Sequence, residues 1–288
     1  MDFTRAALNT IDKALRSPAA TVTYNRTWQQ VHTLYDIGQL KGANRLALSD
    51  NDRRHLRELV KHQTGVDLLA VDHEMSLSRL KGASRLDIAR HLPNEKLSGR
   101  SVTEDIVLIG SATGRIVLPG GTIDVLPGMT VSCHHKHLHG LHRVILVENL
   151  ATMHALEQYP WPAQLDGSVM LFRGSVSQSP KAVTEVVNQA REVVCFPDYD
   201  PQGVMNSLTQ SKSAGIVMPD KSGIDLMLAK GLNKDDLFFK QDAAKQWLRT
   251  NASTLPYVAD MLIRGIALSQ EAMTQCQTMV VVSTRLRM

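Results

Sequence analysis

Two short apolar runs that each stop on acid constrain this chain more than any other feature. Arg143-Val-Ile-Leu-Val-Glu148-Asn149 is the first. Val193-Val-Cys-Phe-Pro197-Asp198-Tyr199-Asp200-Pro201-Gln202-Gly203 is the second. Apolar runs this short, bounded by polar or turn residues, read as buried strands of a parallel sheet. Between them lie a helical stretch from Ala151 to Tyr159 and a third strand from Ser168 to Phe172. A helix from Pro180 to Arg191 follows, with Val183, Val186 and Val187 at helical spacing and Pro180 suited to a first turn. Alternating strands and helices predict an α/β fold with a doubly wound, mostly parallel sheet, in which sites form beyond the carboxyl ends of the strands. Glu148, Asp198 and Asp200 all fall at such ends, although about fifty residues of sequence separate the first from the others.

A lone acid at a strand end is ordinarily a solvated loop residue. Three that converge repel one another, and the arrangement makes most sense around a cation. All-oxygen ligation suits a hard ion such as Mg2+ or Mn2+, which keeps some of its waters and often binds phosphate oxygens.

Leu146-Val147-Glu148-Asn149, Phe172-Arg173-Gly174 and the segment from Phe196 to Gly203 resemble the three signature strands of a Toprim domain. The Glu-Asn pair and the Asp-x-Asp-Pro-x-Gly form are most similar to the nuclease subunit of Wadjet-type SMC plasmid-defence complexes, and more distantly to the A subunit of topoisomerase VI. The likeness covers roughly residues 141–288. It implies that Glu148, Asp198 and Asp200 hold one or two Mg2+ or Mn2+ ions and are the catalytic acids. Gln270-Glu271 resembles a family Gln-Glu pair, which implies Glu271 as a further ligand. It also implies a double-stranded DNA substrate, an SMC ATPase with its kleisin and accessory subunits as partners, and a homodimer.

Charge divides unevenly along the chain. Residues 1–100 carry 16 Lys and Arg against 11 Asp and Glu, while the remainder carries 16 against 17. A basic front that grips phosphate and a back that cuts would suit a nuclease. Three helices are expected in the front part: Asp2 to Leu15, Thr27 to Leu40, and Asp50 to Gln63. The turn Leu40-Lys-Gly-Ala-Asn-Arg-Leu46 nearly recurs as Leu80-Lys-Gly-Ala-Ser-Arg-Leu86. Read functionally, Lys41, Arg45, Arg53, Arg54, Lys81 and Arg85 touch the DNA backbone, as small helical or winged-helix modules do. Chance recurrence of common loop residues is an equal alternative. Cys133, Cys195 and Cys276 are too scattered for a disulfide framework, and no leader or membrane-spanning run is evident. A cytoplasmic protein with no membrane partner is therefore expected.

Short β-type runs punctuated by Gly and Pro turns fill residues 101–138 and predict a small antiparallel unit. The expected organisation is a basic helical region over 1–100, this β unit over 101–138 and a Toprim-like domain over 139–288. Within the junction, Cys133-His-His-Lys-His-Leu-His-Gly-Leu-His142 is rich enough in imidazole to bind zinc or copper, and a second reading has one or two imidazoles contacting DNA phosphate or helping proton transfer near the metal site. Consecutive strand residues point to opposite faces, however, and the cluster precedes the strand that ends in Glu148. That places it at the opposite edge of the sheet and favours a solvated connector. Further on, a long helix from Pro256 to Met279 is expected to carry Glu271.

The chemistry expected from this set is metal-assisted phosphodiester hydrolysis. A topoisomerase-like transesterification needs a tyrosine nucleophile, and Tyr24 and Tyr35 of the front half lack the paired-tyrosine context. A haloacid-dehalogenase-type phosphatase also uses Asp-x-Asp, but Gln202 stands where that family has Thr or Val. A non-catalytic DNA-binding or assembly subunit is the remaining class.

Overall fold

The computed structural model describes residues 3–69, 85–90, 97, 101, 103–174 and 180–284. The chain divides into two compact units, Met1–Val102 and Thr103–Met288.

In the first unit, helices Arg5–Arg16, Arg26–Tyr35 and Asp50–Thr64 accompany a small antiparallel sheet of β1 (Thr21–Thr23), β2 (Gln39–Leu40) and β3 (Arg45–Ala47), in the order β1-β3-β2. Each helix starts on a capping side chain: Thr4, Asn25, and Ser49 in a reciprocal box with Asp52. Their apolar stripes meet in one core around Leu8, Ile11, Trp28, Val31, Leu56 and Val60. The second helix stops five residues before the expected Leu40, because Asp36 turns left-handed and Gly38 (φ 84°) leads into β2. Residues 80–84 of the second copy of the basic turn, Lys81 included, lie outside the described residues.

The second unit is built on a seven-stranded sheet in the order β12-β11-β10-β8-β9-β4-β7. Its members are β4 (Ile106–Gly110), β7 (Val131–His134), β8 (Arg143–Val147), β9 (Val169–Phe172), β10 (Glu192–Phe196), β11 (Ser213–Pro219) and β12 (Met279–Ser283). β5 (Arg115–Leu118) and β6 (Gly121–Asp124) make a separate hairpin. The four strands β9, β8, β10 and β11 are parallel; β4 and β12 flank them antiparallel, and β7, antiparallel to β4, runs in the same direction as the four. Side chains alternate between faces: Val144, Val169, Leu171, Val193 and Cys195 pack under helix Pro180–Gln189, while Ile145, Val147, Met170, Val194 and Phe196 pack into the larger core opposite. Burial on both faces is why these runs are apolar throughout, and the α/β class follows.

Three expectations are corrected. Residues 101–138 do not form a unit of their own. The run Ile106–Gly110 is apolar almost throughout and covers the edge of β9, bringing β7 with it into the main sheet. The long helix from Pro256 to Met279 ends at Arg264, because Gly265 (φ 68°) caps it; Glu271 stands instead on a 3-10 turn, Gln270–Gln275. The Ala151 to Tyr159 helix is two short turns, Leu150–Met153 and Leu156–Gln158. Among the described residues no helix is long and apolar enough to cross a membrane.

Candidate functional site

Strand order fixes where a site can form. From β8 the chain steps to β9 on one side, and β10 and β11 then lie on the other. The order therefore reverses between β8 and β10. In a doubly wound sheet the crevice for a ligand opens beyond the carboxyl ends of the strands at such a reversal. Glu148 follows β8 directly and Asp198 lies two residues past β10, so both acids stand at that crevice. The ladder continues one step beyond the strands, with Glu148 N–H donating to the Phe196 carbonyl at 3.2 Å. Asp198 N–H in turn donates to Glu148 Oε2 at 3.2 Å, which ties the two acids together.

Asp200 occupies a different niche. Its Oδ1 caps helix Pro201–Thr209 by accepting from Gly203 N–H at 2.7 Å, and its Oδ2 accepts from Gln241 Nε2 at 2.9 Å. The geometry of Asp-x-Asp-Pro-x-Gly has a local cause. Proline starts the helix, aspartate caps it, and a Cβ on Gly203 would fall 2.3 Å from the Asp198 carbonyl oxygen. Asp200 is 5% exposed. With both oxygens already bonded, it offers a cation only its remaining lone pairs.

Gln270 locks the rim. Fully buried, it donates from Nε2 to the Phe196 carbonyl (2.6 Å) and accepts from Asn149 N–H at Oε1 (2.7 Å). Its own N–H donates to Asp198 Oδ1 at 2.7 Å. One side chain thus holds the ends of β8 and β10 in register. Asn149 Nδ2 donates to Glu271, drawing that exposed acid to the same rim. Tyr199, between the two aspartates, is anchored by a backbone bridge to Leu268.

Electrostatics match the geometry. Burial pushes the Glu148 carboxyl above its ordinary value; Asp198 and Asp200 add to the rise, and Arg173, 2.9 Å from Oε1, opposes it. Burial likewise raises Asp198, helped by Asp200 and Glu271 and opposed by the Gln270 amide and Lys234. Four acids face two cationic side chains. An all-carboxylate donor set with uncompensated negative charge fits a hard divalent ion. Yet among the described residues no three of these acids bring their oxygens within 4.8 Å of one another. Asp198 N–H, the Gln270 amide, Gln241 and Arg173 already engage oxygens of Glu148, Asp198 and Asp200. A cation here would be bound partly through water. Beside Glu148 a cavity of about 180 Å³ opens between the sheet and helices Pro180–Gln189 and Pro201–Thr209, lined by Arg173, Thr184, Asn206 and Gln210.

The expected DNA-contacting residues separate. Lys41, Arg45 and Arg54 are exposed. Arg85 is half-buried, with its Nε shielded and unbonded. Arg53 is a partial correction: its guanidinium donates to the carbonyls of Ala14, Ser17 (3.1 Å) and Ala19 (2.6 Å), closing the carboxyl end of the first helix, and this interior role takes those donors away from phosphate. The histidine cluster is another. β7 runs in the same direction as β9, so His134 ends at the rim that carries Glu148 and not at the opposite edge. Gln270 drew attention in the sequence only as the neighbour of Glu271; Gln241 and Lys234 carried no signal there.

A domain of unknown function, DUF7281, matches residues 104–282, more than half of the chain. The chain belongs to that family. No curated protein and no solved structure matches it.

Proposed function

We propose that this member of the DUF7281 family is a metal-dependent DNA endonuclease, hydrolysing phosphodiesters at a Toprim-type site of Glu148, Asp198 and Asp200 with Glu271 beside them. One observation carries the reading. Two acids 50 residues apart meet at the switch point, the Asp198 backbone N–H donating to the Glu148 carboxylate, with both carboxyls held high by burial. A phosphodiester is itself an anion, so a substrate phosphate enters such a crevice only if positive charge accompanies it. A bound divalent ion would polarise the phosphoryl oxygen, help ionise an attacking water and stabilise the leaving oxygen. Glu148, raised above the usual carboxylate range, is suited to hold or accept a proton during the reaction. Arg173, with a side chain 43% exposed, sits at the mouth and supplies the planar donor pair that phosphate oxygens favour. Gln270 positions Asp198. Lys41, Arg45 and Arg54 of the first unit supply non-specific contacts to the DNA backbone.

The family resemblance supports a finer assignment: the nuclease subunit of a Wadjet-type SMC defence complex, working as a homodimer on double-stranded DNA beside the ATPase, kleisin and accessory subunits. The test is cleavage of supercoiled plasmid with Mg2+ or Mn2+, by the chain alone and with those subunits. Glu148→Gln and Asp198→Asn should each slow cutting by roughly 10²–10⁴-fold while the fold is kept. Cutting at the wild-type rate by both variants would overturn the proposal. A denaturant-stable protein–DNA adduct, lost in Tyr24→Phe or Tyr35→Phe, would replace it with transesterification. No cutting under any condition would leave a scaffold.

A further inference from the structure

We infer that Asp105, His134 and His135 form a second metal site, for a borderline divalent transition ion such as Zn2+, separate from the acidic crevice. The sheet register builds it. β4 and β7 pair antiparallel with Ile106 opposite His134, and the ladder runs one step further through His135 N–H to the Asp105 carbonyl at 3.0 Å. Had the strand continued, the two histidines would point to opposite faces. Instead the chain leaves β7 into the 3-10 turn His135–Leu138, and the rings stack with centroids 4.8 Å apart at 30°.

Asp105 lies between them. Its Oδ2 is 3.8 Å from His134 Nε2, its Oδ1 is 3.9 Å from His135 Nε2, and one ligand atom from each of the three residues falls within 4.8 Å of the others. These separations are too long for hydrogen bonds. The two Asp105–histidine separations are close to the spacing of about 3.4 Å that donors keep around a tetrahedral zinc ion with bonds near 2.1 Å. His135 Nδ1 is buried without a partner, so the polar contacts of this ring lie on its Nε2 side, which faces Asp105. Burial also holds this imidazole's pKa low, which favours the neutral form that binds metal. His134 Nδ1 accepts the exposed Lys136 amide at 3.2 Å. Coordination through Nε2 would place the ring proton on Nδ1 and return that amide to water. Two imidazoles and a carboxylate select zinc and its neighbours over Mg2+, and the half-exposed Asp105 and His134 leave a further position open to solvent.

This site shares the rim of the acidic crevice but not its chemistry. β7 stands three strands from β8 in the sheet, roughly 14 Å at the usual strand spacing. Paired ions in a two-metal centre lie about 4 Å apart. An ion on the histidines therefore fastens the edge strand β7 and its turn to β4, and stabilises the fold wherever it is bound.

Co2+ and then Zn2+ titrations of the EDTA-treated full chain test the inference. Wild type should bind Co2+ with visible d–d absorption, displaced by Zn2+, and Zn2+ should raise its melting temperature. Asp105→Asn and His134→Gln should each weaken binding by at least the roughly 10–100-fold seen when only an outer partner of a metal ligand is lost. Glu148→Gln and Asp198→Asn should keep the visible Co2+ band and the Zn2+-induced rise in melting temperature, losing only the Co2+ held by the acids, which separates this outcome from failure of the nuclease reading. Undiminished binding in Asp105→Asn, or no binding by wild type, overturns it. If the variants fail to fold, a histidine-modification footprint of the wild type decides. Zn2+ protection of His134 and His135 supports the site; protection confined to His137, His139 and His142 refutes it.

Discussion

Replacing Gln270 with alanine should loosen the acidic rim and destabilise the second unit together. The side chain is fully buried and makes two hydrogen bonds, to the Phe196 carbonyl and from the Asn149 amide. Each contributes about 1 kcal/mol net. The Phe196 carbonyl still accepts from Glu148 N–H, so removing Gln270 leaves it satisfied. Among the described residues the Asn149 N–H has no second partner, and leaving this part-buried donor unpaired adds roughly 1–3 kcal/mol. Together these give a loss of about 3–5 kcal/mol. For a unit of this size each kcal/mol moves the melting temperature by about 2–4 °C, so thermal unfolding should fall by roughly 6–20 °C. Gln270→Glu keeps the shape but cannot donate to Phe196 when ionised, and it adds charge beside Asp198; it should also destabilise, less so at acidic pH where the new carboxyl is neutral. Differential scanning calorimetry of the full chain reads both. A Gln270→Ala variant that melts within about 1 °C of wild type would refute the claim that this residue holds the rim.

Other perturbations follow from the same geometry. Glu148 and Asp198 have raised pKa values in the folded chain, so the native state binds more protons than the unfolded state just above the ordinary carboxylate range. In EDTA, stability should therefore fall as pH rises through that window, and the slope should flatten in Glu148→Gln; a stability that rises with pH there, traced to these acids, would contradict the burial argument. Gly203→Ala places a Cβ 2.3 Å from the Asp198 carbonyl oxygen and should cost about 1–3 kcal/mol, read by chemical denaturation. Arg53→Ala should destabilise the first unit without changing DNA affinity, whereas Lys41→Ala with Arg54→Ala should weaken DNA binding and shallow its salt dependence, measured by anisotropy titration.

The sequence made the centre of the fold legible because its signal is local. Val144–Val147, Val169–Phe172 and Val193–Phe196 are apolar throughout, which is what burial on both faces requires, and acids at their ends follow at once. What escaped was set by pairing between distant segments. Nothing in residues 106–110 says that they will cover β9, so the β unit was separated from a sheet it belongs to. The direction of β7, and with it the rim on which His134 lies, depends on the same pairing. Glu271 was placed on a long helix because the apolar spacing runs past Gly265, whose left-handed conformation ends the helix. Arg53 looked like any surface arginine on a basic helix; only the folded chain brings the first helix's carbonyls within its reach. Gln270 has no sequence pattern beyond standing next to an acid, since its partners are 74 and 121 residues away.

The most direct test of a shared cation between Glu148 and Asp198 is iron-mediated cleavage of the polypeptide. Fe2+ replaces Mg2+ in oxygen-ligand sites, and ascorbate with peroxide then generates radicals that cut the backbone nearby. The account predicts cuts beside Glu148 and across Asp198 to Asp200, competed away by excess Mg2+ and absent in Asp198→Asn. Cuts confined to the Asp105 and His134 region, or none that Mg2+ suppresses, would contradict it.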